Sequence, residues 1–154
     1  MSVLAFNKRA NFDYNILEKY EAGLVLLGHE VKSIKTGHIN LKGAFVTIKG
    51  AAKKLPEVYL INAYIPLYKH AGSIKNYDPY RSRQLLLKKN EIKYLIGKAK
   101  EQGLTLVPIK IYTKHSFVKL EFGIGQGRKK IDKREAIKKR EVERSIRTLT
   151  KYRK

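Results

Sequence analysis

The 154-residue sequence contains no cysteine, no tryptophan and only one methionine, at its first position. The absence of cysteine excludes a disulfide scaffold, a thiolate metal site and a cysteine nucleophile. Nowhere do 18 consecutive apolar residues occur, so the sequence predicts no helix that spans a bilayer. The first twelve residues lack an apolar stretch of the length found in signal peptides. We therefore expect a cytoplasmic protein.

Acidic residues are scarce: 13 Asp and Glu stand against 34 Lys and Arg, which gives a formal net charge of +21. Such an excess makes a polyanion, above all nucleic acid, the first class of partner to consider. A wholly disordered polycation is excluded because 43% of the residues are hydrophobic and 10% are aromatic. The charge is uneven, with a net +12 over residues 1–127 and a net +9 over the 27 residues 128–154. We predict a folded body over 1–127 and a basic tail over 128–154.

Alternating apolar and polar residues predict that most of the body is β-structure. The clearest pattern covers residues 118–124, and it follows an apolar stretch at 104–112 in which Pro108 indicates an edge position or a bulge. We expect the four residues 113–116 to join these two strands as a hairpin. Further strands are predicted at 14–27, 44–49, 58–63 and 85–88.

Two helices are predicted within the body. Apolar residues at i, i+3, i+4 and i+7 from Ile92 indicate a helix with Asn90 as its N-cap. A shorter helix is predicted over about 29–36, with Val31 and Ile34 facing inward. Many short strands with two inserted helices are typical of a small, partly open antiparallel β-barrel, of which the OB fold is one example.

The tail has an apolar stripe at helical spacing, and the rest of its circumference is mainly cationic. The stripe consists of Ile137, Val142, Ile146 and Leu149. Because so narrow a stripe does not offset the entropy of ordering the chain, we expect the tail to be disordered alone and helical against a polyanion.

Nothing in the sequence predicts an enzyme, a metal site or a cofactor. The four histidines have no metal-ligand spacing, and the common hydrolase, zincin and nucleotide-binding motifs are absent. The run Gly123-Ile-Gly-Gln-Gly127 has the form of part of a dinucleotide loop, but Arg128 replaces the third glycine. We interpret this run as a hinge between body and tail.

Cations and aromatic rings occur together in a way typical of RNA-binding surfaces. Asn7, Lys8 and Arg9 precede a run rich in rings, and Arg81 and Arg83 lie in a loop with two tyrosines. In such a loop, guanidinium groups can contact phosphates and rings can stack on bases. The alternative is that the rings close the core and the cations only face solvent.

Three consecutive leucines follow this loop, at positions 85–87. In a strand, the middle leucine faces away from its two neighbours. The sequence therefore predicts either a strand covered on both faces or an exposed Leu86 beside the two arginines.

Several motifs, in one order, resemble the small protein B family, whose members bind transfer-messenger RNA in bacterial trans-translation. They are Asn7-Lys-Arg-Ala10, Tyr20-Glu-Ala-Gly23, Glu30-Val-Lys-Ser33, Asp78-Pro-Tyr-Arg-Ser-Arg83 leading into Leu85-Leu-Leu87, the run from Gly103 to Tyr112, and Asp132-Lys-Arg-Glu135. The resemblance covers about residues 7–144. Ile131 departs from it, because the family commonly has His or Tyr there.

The resemblance implies an OB-like antiparallel β-barrel with flanking helices, without enzymatic activity or cofactor. It implies binding to the tRNA-like domain of transfer-messenger RNA. It also implies entry into stalled ribosomes with that RNA, which carries alanine and is bound by elongation factor Tu. The implied RNA-binding residues are Asn7, Glu21 and Leu86, with Lys8, Arg9, Lys32, Arg81 and Arg83 as phosphate contacts. The implied tail residues at the decoding centre and messenger channel are Gly127, Lys129, Lys130, Asp132, Lys133 and Arg134.

Composition alone leaves two other classes open. One is a ribosomal protein or general RNA chaperone with a basic extension, and the other is a small nuclease, for which paired carboxylates are lacking. A membrane-surface protein is disfavoured because the apolar stripe of the tail contains no Trp or Phe.

Overall fold

A computed structural model describes residues 1–51, 54–128 and 130–152. In these residues the strands are β1 Ser2–Phe6, β2 Tyr14–Leu24, β3 Phe45–Ala51, β4 Lys54–Ile61, β5 Arg83–Leu86, β6 Leu104–Lys114 and β7 Phe117–Gly127. The helices are α1 Ala10–Asp13, α2 Gly28–Lys35, α3 Lys89–Ala99 and α4 Lys130–Tyr152. The prediction of a mainly β protein with helices is confirmed. Strand β1 and the one-turn helix α1 were not predicted.

The strand pairings are antiparallel and run in a cycle. Strand β6 pairs with β3, β3 with β4, β4 with β5, β5 with β2, β2 with β7, and β7 with β6. Strand β1 pairs with the C-terminal half of β6, and the β3–β6 junction is short, with Val46 opposite Leu106. The core is formed by one face of these strands together with α2 and α3. Its members include Ile34, Val58, Leu60, Leu85, Leu95, Ile111, Leu120 and Phe122.

The β6–β7 hairpin has a tighter turn than predicted. Its strands run to Lys114 and from Phe117, so that only His115 and Ser116 lie between them. Both residues have positive φ, 50° and 69°. Two such residues form a turn whose twist matches that of the strands, which is why the hairpin closes in two residues and not in four.

Pro108 lies at a β-bulge, which is one of the two predicted alternatives. The register of β6 against β7 shifts between Pro108 and Lys110. On its other side, β6 pairs with β1 from Lys110 to Thr113 and with β3 at Leu106, and Pro108 lies between these two pairings. The carbonyl of Pro108 instead accepts a hydrogen bond from Asn7 Nδ2 at 2.9 Å.

The interpretation of the glycine run as a hinge is wrong. Gly123 and Gly125 are buried inside β7. A Cβ at Gly123 would lie 2.7 Å from both the carbonyl oxygen of Glu18 and Cγ2 of Ile16. These positions lack side chains because β2 and β6 approach β7 too closely for one.

Both predicted helices of the body are confirmed, with small differences at their ends. In α2, Ile34 is buried and Gly37 follows with a φ of 84°. Helix α3 begins earlier than expected: Lys88 is its N-cap instead of Asn90, and the Lys88 N–H donates to Glu91 Oε1 at 3.3 Å.

The tail forms helix α4, whose apolar stripe is exposed to solvent. Ile137, Val142, Ile146 and Leu149 are all among the exposed hydrophobic residues. The first half of α4 and the residue before the helix lie near α1. The Arg128 N–H donates to the Asp13 carbonyl at 2.9 Å, and the Arg140 guanidinium lies 6.0 Å from the centre of the Phe12 ring. Within the described residues, no helix is both long and apolar enough to cross a membrane.

Candidate nucleic-acid interface

Leu86 lies on the surface, in a groove between β2, β5 and the start of α3. Leu85 points into the core and is 2% exposed, whereas Leu86 is 57% exposed. The alternation of strand side chains explains this difference, and it confirms the exposed alternative of the sequence prediction. Gly23 is paired with Leu86 across the sheet, and its missing side chain leaves space beside the leucine. The open groove of about 680 Å³ is lined by Lys19, Tyr20, Glu21, Gly23, Leu86, Leu87, Lys88, Glu91 and Lys119.

Glu21 is on the same side of β2 and is fixed in position. Its carboxylate accepts a hydrogen bond from the Tyr112 hydroxyl and lies 3.6 Å from Lys114 Nζ. The hydrogen bond from Tyr112 lowers the pKa of Glu21, and the nearby lysines lower it further. The side chain is still 40% exposed. It is therefore an ionised, oriented acceptor that an amino group of a base can reach.

Three lysines around this groove were not singled out from the sequence. Lys19 and Lys119 lie on neighbouring strands, and Lys119 is in register with Gly23. Lys88 precedes α3. Only the pairing of distant strands brings these ammonium groups around one leucine, although the period-two pattern of β7 did place Lys119 on its outer face. Ammonium groups around one groove suit a phosphate backbone.

A second apolar surface joins the groove at Leu86. Phe117, at the end of the β6–β7 hairpin, is 69% exposed. Between Phe117 and Leu86, the surface is lined by Leu24, Leu26 and Val31. The alternation that buries Val118 and Leu120 puts Phe117 on the outer face of β7 together with Lys119, although Phe117 was not singled out from the sequence.

Asn7 has a structural role at the start of α1. Its Nδ2 donates to the Pro108 carbonyl at 2.9 Å, and its Oδ1 accepts from the Arg9 N–H at 3.2 Å. The amide therefore ties the segment to β6 and orders the turn that presents Lys8 and Arg9. Both of these cations are exposed, and Arg9 forms an ion pair with Asp13 at 3.2 Å.

The three residues 7–9 do not lie in the groove of Leu86. Phe6 is in register with Lys110 on β6, Lys110 with Glu121 on β7, and Glu121 with Glu21 on β2. Three strand spacings separate Phe6 from Glu21, which is about 14 Å. An RNA that contacts both regions has to extend across the outer face of these strands.

The assignment of Arg83 as a phosphate contact is wrong for this structure. Its side chain is 0% exposed. Its guanidinium donates to Glu30 Oε2 at 2.6 and 2.9 Å and to the carbonyls of Ala63 and Pro79. Every one of these partners belongs to the protein, so Arg83 holds the loop 77–83 onto α2.

Arg81 shares the same carboxylate but keeps part of its surface. It donates to Glu30 through Nε at 3.1 Å and through Nη2, and its side chain is 30% exposed. The Tyr77 hydroxyl also donates to Glu30, at 3.0 Å. One buried carboxylate thus faces two guanidinium groups, and the cluster has a net positive charge. Of the two arginines in this cluster, Arg81 is the one that a phosphate can reach.

Glu30 is the residue of this region that sequence reasoning missed. Burial alone would raise its pKa, but hydrogen bonds from Arg81, the Leu27 N–H and Arg83 more than offset this effect and lower the pKa to about 2. Glu30 opens the motif Glu30-Val-Lys-Ser33 that is recognisable in the sequence. The two arginines that donate to its carboxylate, however, lie about fifty positions further along the chain.

The predicted tail residues are described only in part. Gly127 ends β7, and Arg134 is exposed on α4. Lys129 lies outside the described residues. Lys130, Asp132 and Lys133 fall in the first turns of α4, where only the backbone is described. Lys32, the remaining predicted phosphate contact, is exposed on α2 with its Nζ 5.9 Å from the centre of the Tyr68 ring.

These features together define a small basic nucleic-acid-binding protein: an antiparallel β-body with a lysine-rimmed groove, followed by a cationic helix. Comparison with known proteins identifies the family within this class. The model of the family described as "SmpB protein" matches residues 4–152. The SsrA-binding protein of Ligilactobacillus salivarius (strain UCC118) is 49% identical over 152 residues, which cover 98% of this chain and 94% of that protein.

A second relative and a solved structure agree with this family. The SsrA-binding protein of Thermosipho africanus (strain TCF52B) is 52% identical over 147 residues, with 95% of each chain covered. A solved structure that concerns tmRNA-SmpB and the center of the bacterial ribosome contains a chain that is 42% identical. That chain superimposes with a TM-score of 0.65, over 89% of this chain and 95% of its own length. The protein therefore belongs to the SmpB family, which is the small protein B family that the sequence motifs indicated.

Proposed function

We propose that this protein binds transfer-messenger RNA and accompanies it to stalled ribosomes, where it takes part in trans-translation. The family membership supports the proposal, since relatives about 50% identical are named SsrA-binding proteins. The observation that carries it is the exposed Leu86 beside an ionised Glu21 in a groove rimmed by lysines.

Each feature of the groove has a distinct use in RNA recognition. The lysines supply affinity for phosphates, which is independent of sequence. Leu86 and Phe117 offer apolar surface to an unstacked base or a sugar. Glu21 accepts a hydrogen bond from a base amino group, and so distinguishes among bases as the lysines cannot. No step of this function is catalytic, and we propose that the protein works by binding alone, without a cofactor.

We also propose that the β-body is a partly open OB-like barrel. The cyclic strand pairing supports this architecture, and the short β3–β6 junction is its weakest closure. We propose that residues 1–127 form the RNA-binding domain, because the buried core clusters of the described residues end at Ile124.

The basic tail, 128–154, has a second anionic surface as its partner in this proposal. The exposed cations and apolar stripe of α4 support binding to the empty messenger channel and decoding centre of the small ribosomal subunit. Gly127, Lys129, Lys130, Asp132, Lys133 and Arg134 are the residues assigned to that contact. The RNA would arrive carrying alanine, with elongation factor Tu bound, in the cytoplasm. That the tail is disordered before it reaches the ribosome stays a prediction.

The test replaces Leu86 by Asp in the full chain and measures affinity for transfer-messenger RNA at fixed salt. We expect at least a roughly tenfold loss, because the substitution removes an apolar contact and adds a charge facing phosphates. The matched control is Leu55→Asp, at an exposed leucine on β4 outside the groove. Equal affinities for wild type and Leu86→Asp would contradict the proposed interface.

A further inference from the structure

A second pocket lies between the C-terminal half of α2 and the segment 66–70. Its volume is about 290 Å³. Ser33 and Thr36 line it, whereas Val31 lines the apolar surface beside Leu86. Because successive helical residues are rotated by about 100°, Val31 and Ser33 point to nearly opposite sides of α2. The helix therefore separates this pocket from the groove already described.

Hydrogen bonds fix the wall of the pocket. Ser33 Oγ donates to the Pro66 carbonyl at 2.9 Å, which ties α2 to the segment 66–70. Thr36 Oγ1 lies 2.8 Å from the Ser33 carbonyl and 2.8 Å from His38 Nδ1. A threonine hydroxyl has one proton, and here it goes to a main-chain carbonyl. The oxygen can then accept from His38 Nδ1–H, and this contact holds the imidazole ring in the wall of the pocket.

The other wall is an aromatic ring with a lysine over it. Tyr68 lines the pocket, with Lys32 Nζ 5.9 Å from its ring centre and the His70 ring 5.5 Å away. Lys69 is exposed at the rim. None of the eight residues that line the pocket is acidic.

This combination matches one nucleotide. A flat ring suits a base, ammonium groups suit its phosphate, and the polar groups of the wall suit the edge of the base. An acidic peptide would use the ammonium groups but leave the aromatic ring without a partner. A pocket of this size admits one base that has left its stack, not a duplex.

We propose that this pocket binds a single unpaired nucleotide of an RNA, with its base on Tyr68 and its phosphate at Lys32 and Lys69. The proposal rests on the proposed function in so far as the protein acts among RNAs, and it adds a second contact across α2 from the first. The nucleotide can belong to transfer-messenger RNA or to ribosomal RNA, and the two arms of the experiment distinguish these sources.

The experiment uses full-length protein with Tyr68→Leu and Tyr68→Phe. The first arm measures affinity for transfer-messenger RNA in solution, and the second measures retention of the protein–RNA complex on ribosomes stalled on a truncated message. We expect Tyr68→Leu to lose roughly tenfold in one arm, because one base–ring stack is removed, and Tyr68→Phe to match wild type. The matched control is Tyr59→Leu, at a tyrosine that also has a lysine over its ring, Lys49 at 5.1 Å, but lies on β4.

A second variant covers the case in which Tyr68→Leu fails to fold. Lys69→Ala removes an exposed cation without touching the core, and it should reduce the slope of log affinity against log salt by about one in the same arm. No change for either variant in both arms, or an equal loss in Tyr59→Leu, would overturn the proposal. Should wild type itself bind no transfer-messenger RNA while binding ribosomes through this pocket, the proposed function fails and the pocket stands.

Discussion

Replacement of Glu30 by Gln tests whether the buried cluster holds the loop 77–83. The substitution keeps the shape of the side chain but replaces one acceptor oxygen by a donor amide and removes the negative charge. Glu30 Oε2 accepts from Arg83 at 2.6 and 2.9 Å and from Tyr77 at 3.0 Å, while Oε1 accepts from the Leu27 N–H at 2.8 Å. In the variant, the guanidinium of Arg83 stays buried without a charged partner.

The expected loss in the free energy of unfolding is large. Removing one partner of a buried ion pair costs about 3–5 kcal/mol, because the other charge is left uncompensated. A chain of this size typically has about 5–15 kcal/mol in total. At about 2–4 °C per kcal/mol, the melting temperature should fall by roughly 6–20 °C.

Urea unfolding of the full chain, followed by far-UV circular dichroism, measures this loss. The matched control is Glu57→Gln, since Glu57 is exposed on β4 and accepts from the Tyr59 hydroxyl. We expect the control to stay within about 0.5 kcal/mol of wild type. A loss below about 1 kcal/mol for Glu30→Gln would refute the assignment of Arg83 as a residue that depends on this carboxylate.

Two further predictions follow from the same structure. The pKa of Glu30 is lowered from 4.5 to about 2, so its stabilisation is present above pH 4.5 and lost as the pH falls toward 2. Linkage puts this at on the order of 3 kcal/mol, and wild type should lose more stability than Glu30→Gln between pH 5 and pH 2 in parallel melts. Two glycines should respond in opposite directions to replacement by alanine. Gly97→Ala, at an exposed position of α3 with nothing within 4 Å of the new Cβ, should stabilise by about 1 kcal/mol. Gly123→Ala, with contacts of 2.7 Å, should destabilise by at least about 2 kcal/mol; urea midpoints check both.

Local sequence patterns predicted the secondary-structure elements and side-chain orientations that are decided by residues close together in the sequence. The alternation in residues 118–124 predicted β7 and its inward face, and the three consecutive leucines predicted that one of them could point outward. The helical spacing from Ile92 predicted α3 within a residue or two at its start. Each of these features is decided by periods of 2 or 3.6 residues.

Features that depend on pairing between distant segments could not be predicted in this way. Arg83 has the same appearance as Arg81 in the sequence, and only their unequal burial against Glu30 separates a structural arginine from an accessible one. The glycines of β7 indicated a hinge because their reason, the close approach of β2 and β6, lies on other strands. The lysines of the groove and Phe117 likewise line one continuous surface only because β2, β5 and β7 are neighbours in the fold.

The identity of the RNA that copurifies with the full-length protein at moderate salt tests the central claim most directly. We expect transfer-messenger RNA, at about one copy per protein, in cells without stalled ribosomes. We also expect loss of that RNA, with the fold intact, in Leu86→Asp but not in Leu55→Asp. Recovery of ribosomal RNA instead, with the protein held on ribosomes through high-salt washing, would contradict the account and indicate a ribosomal protein.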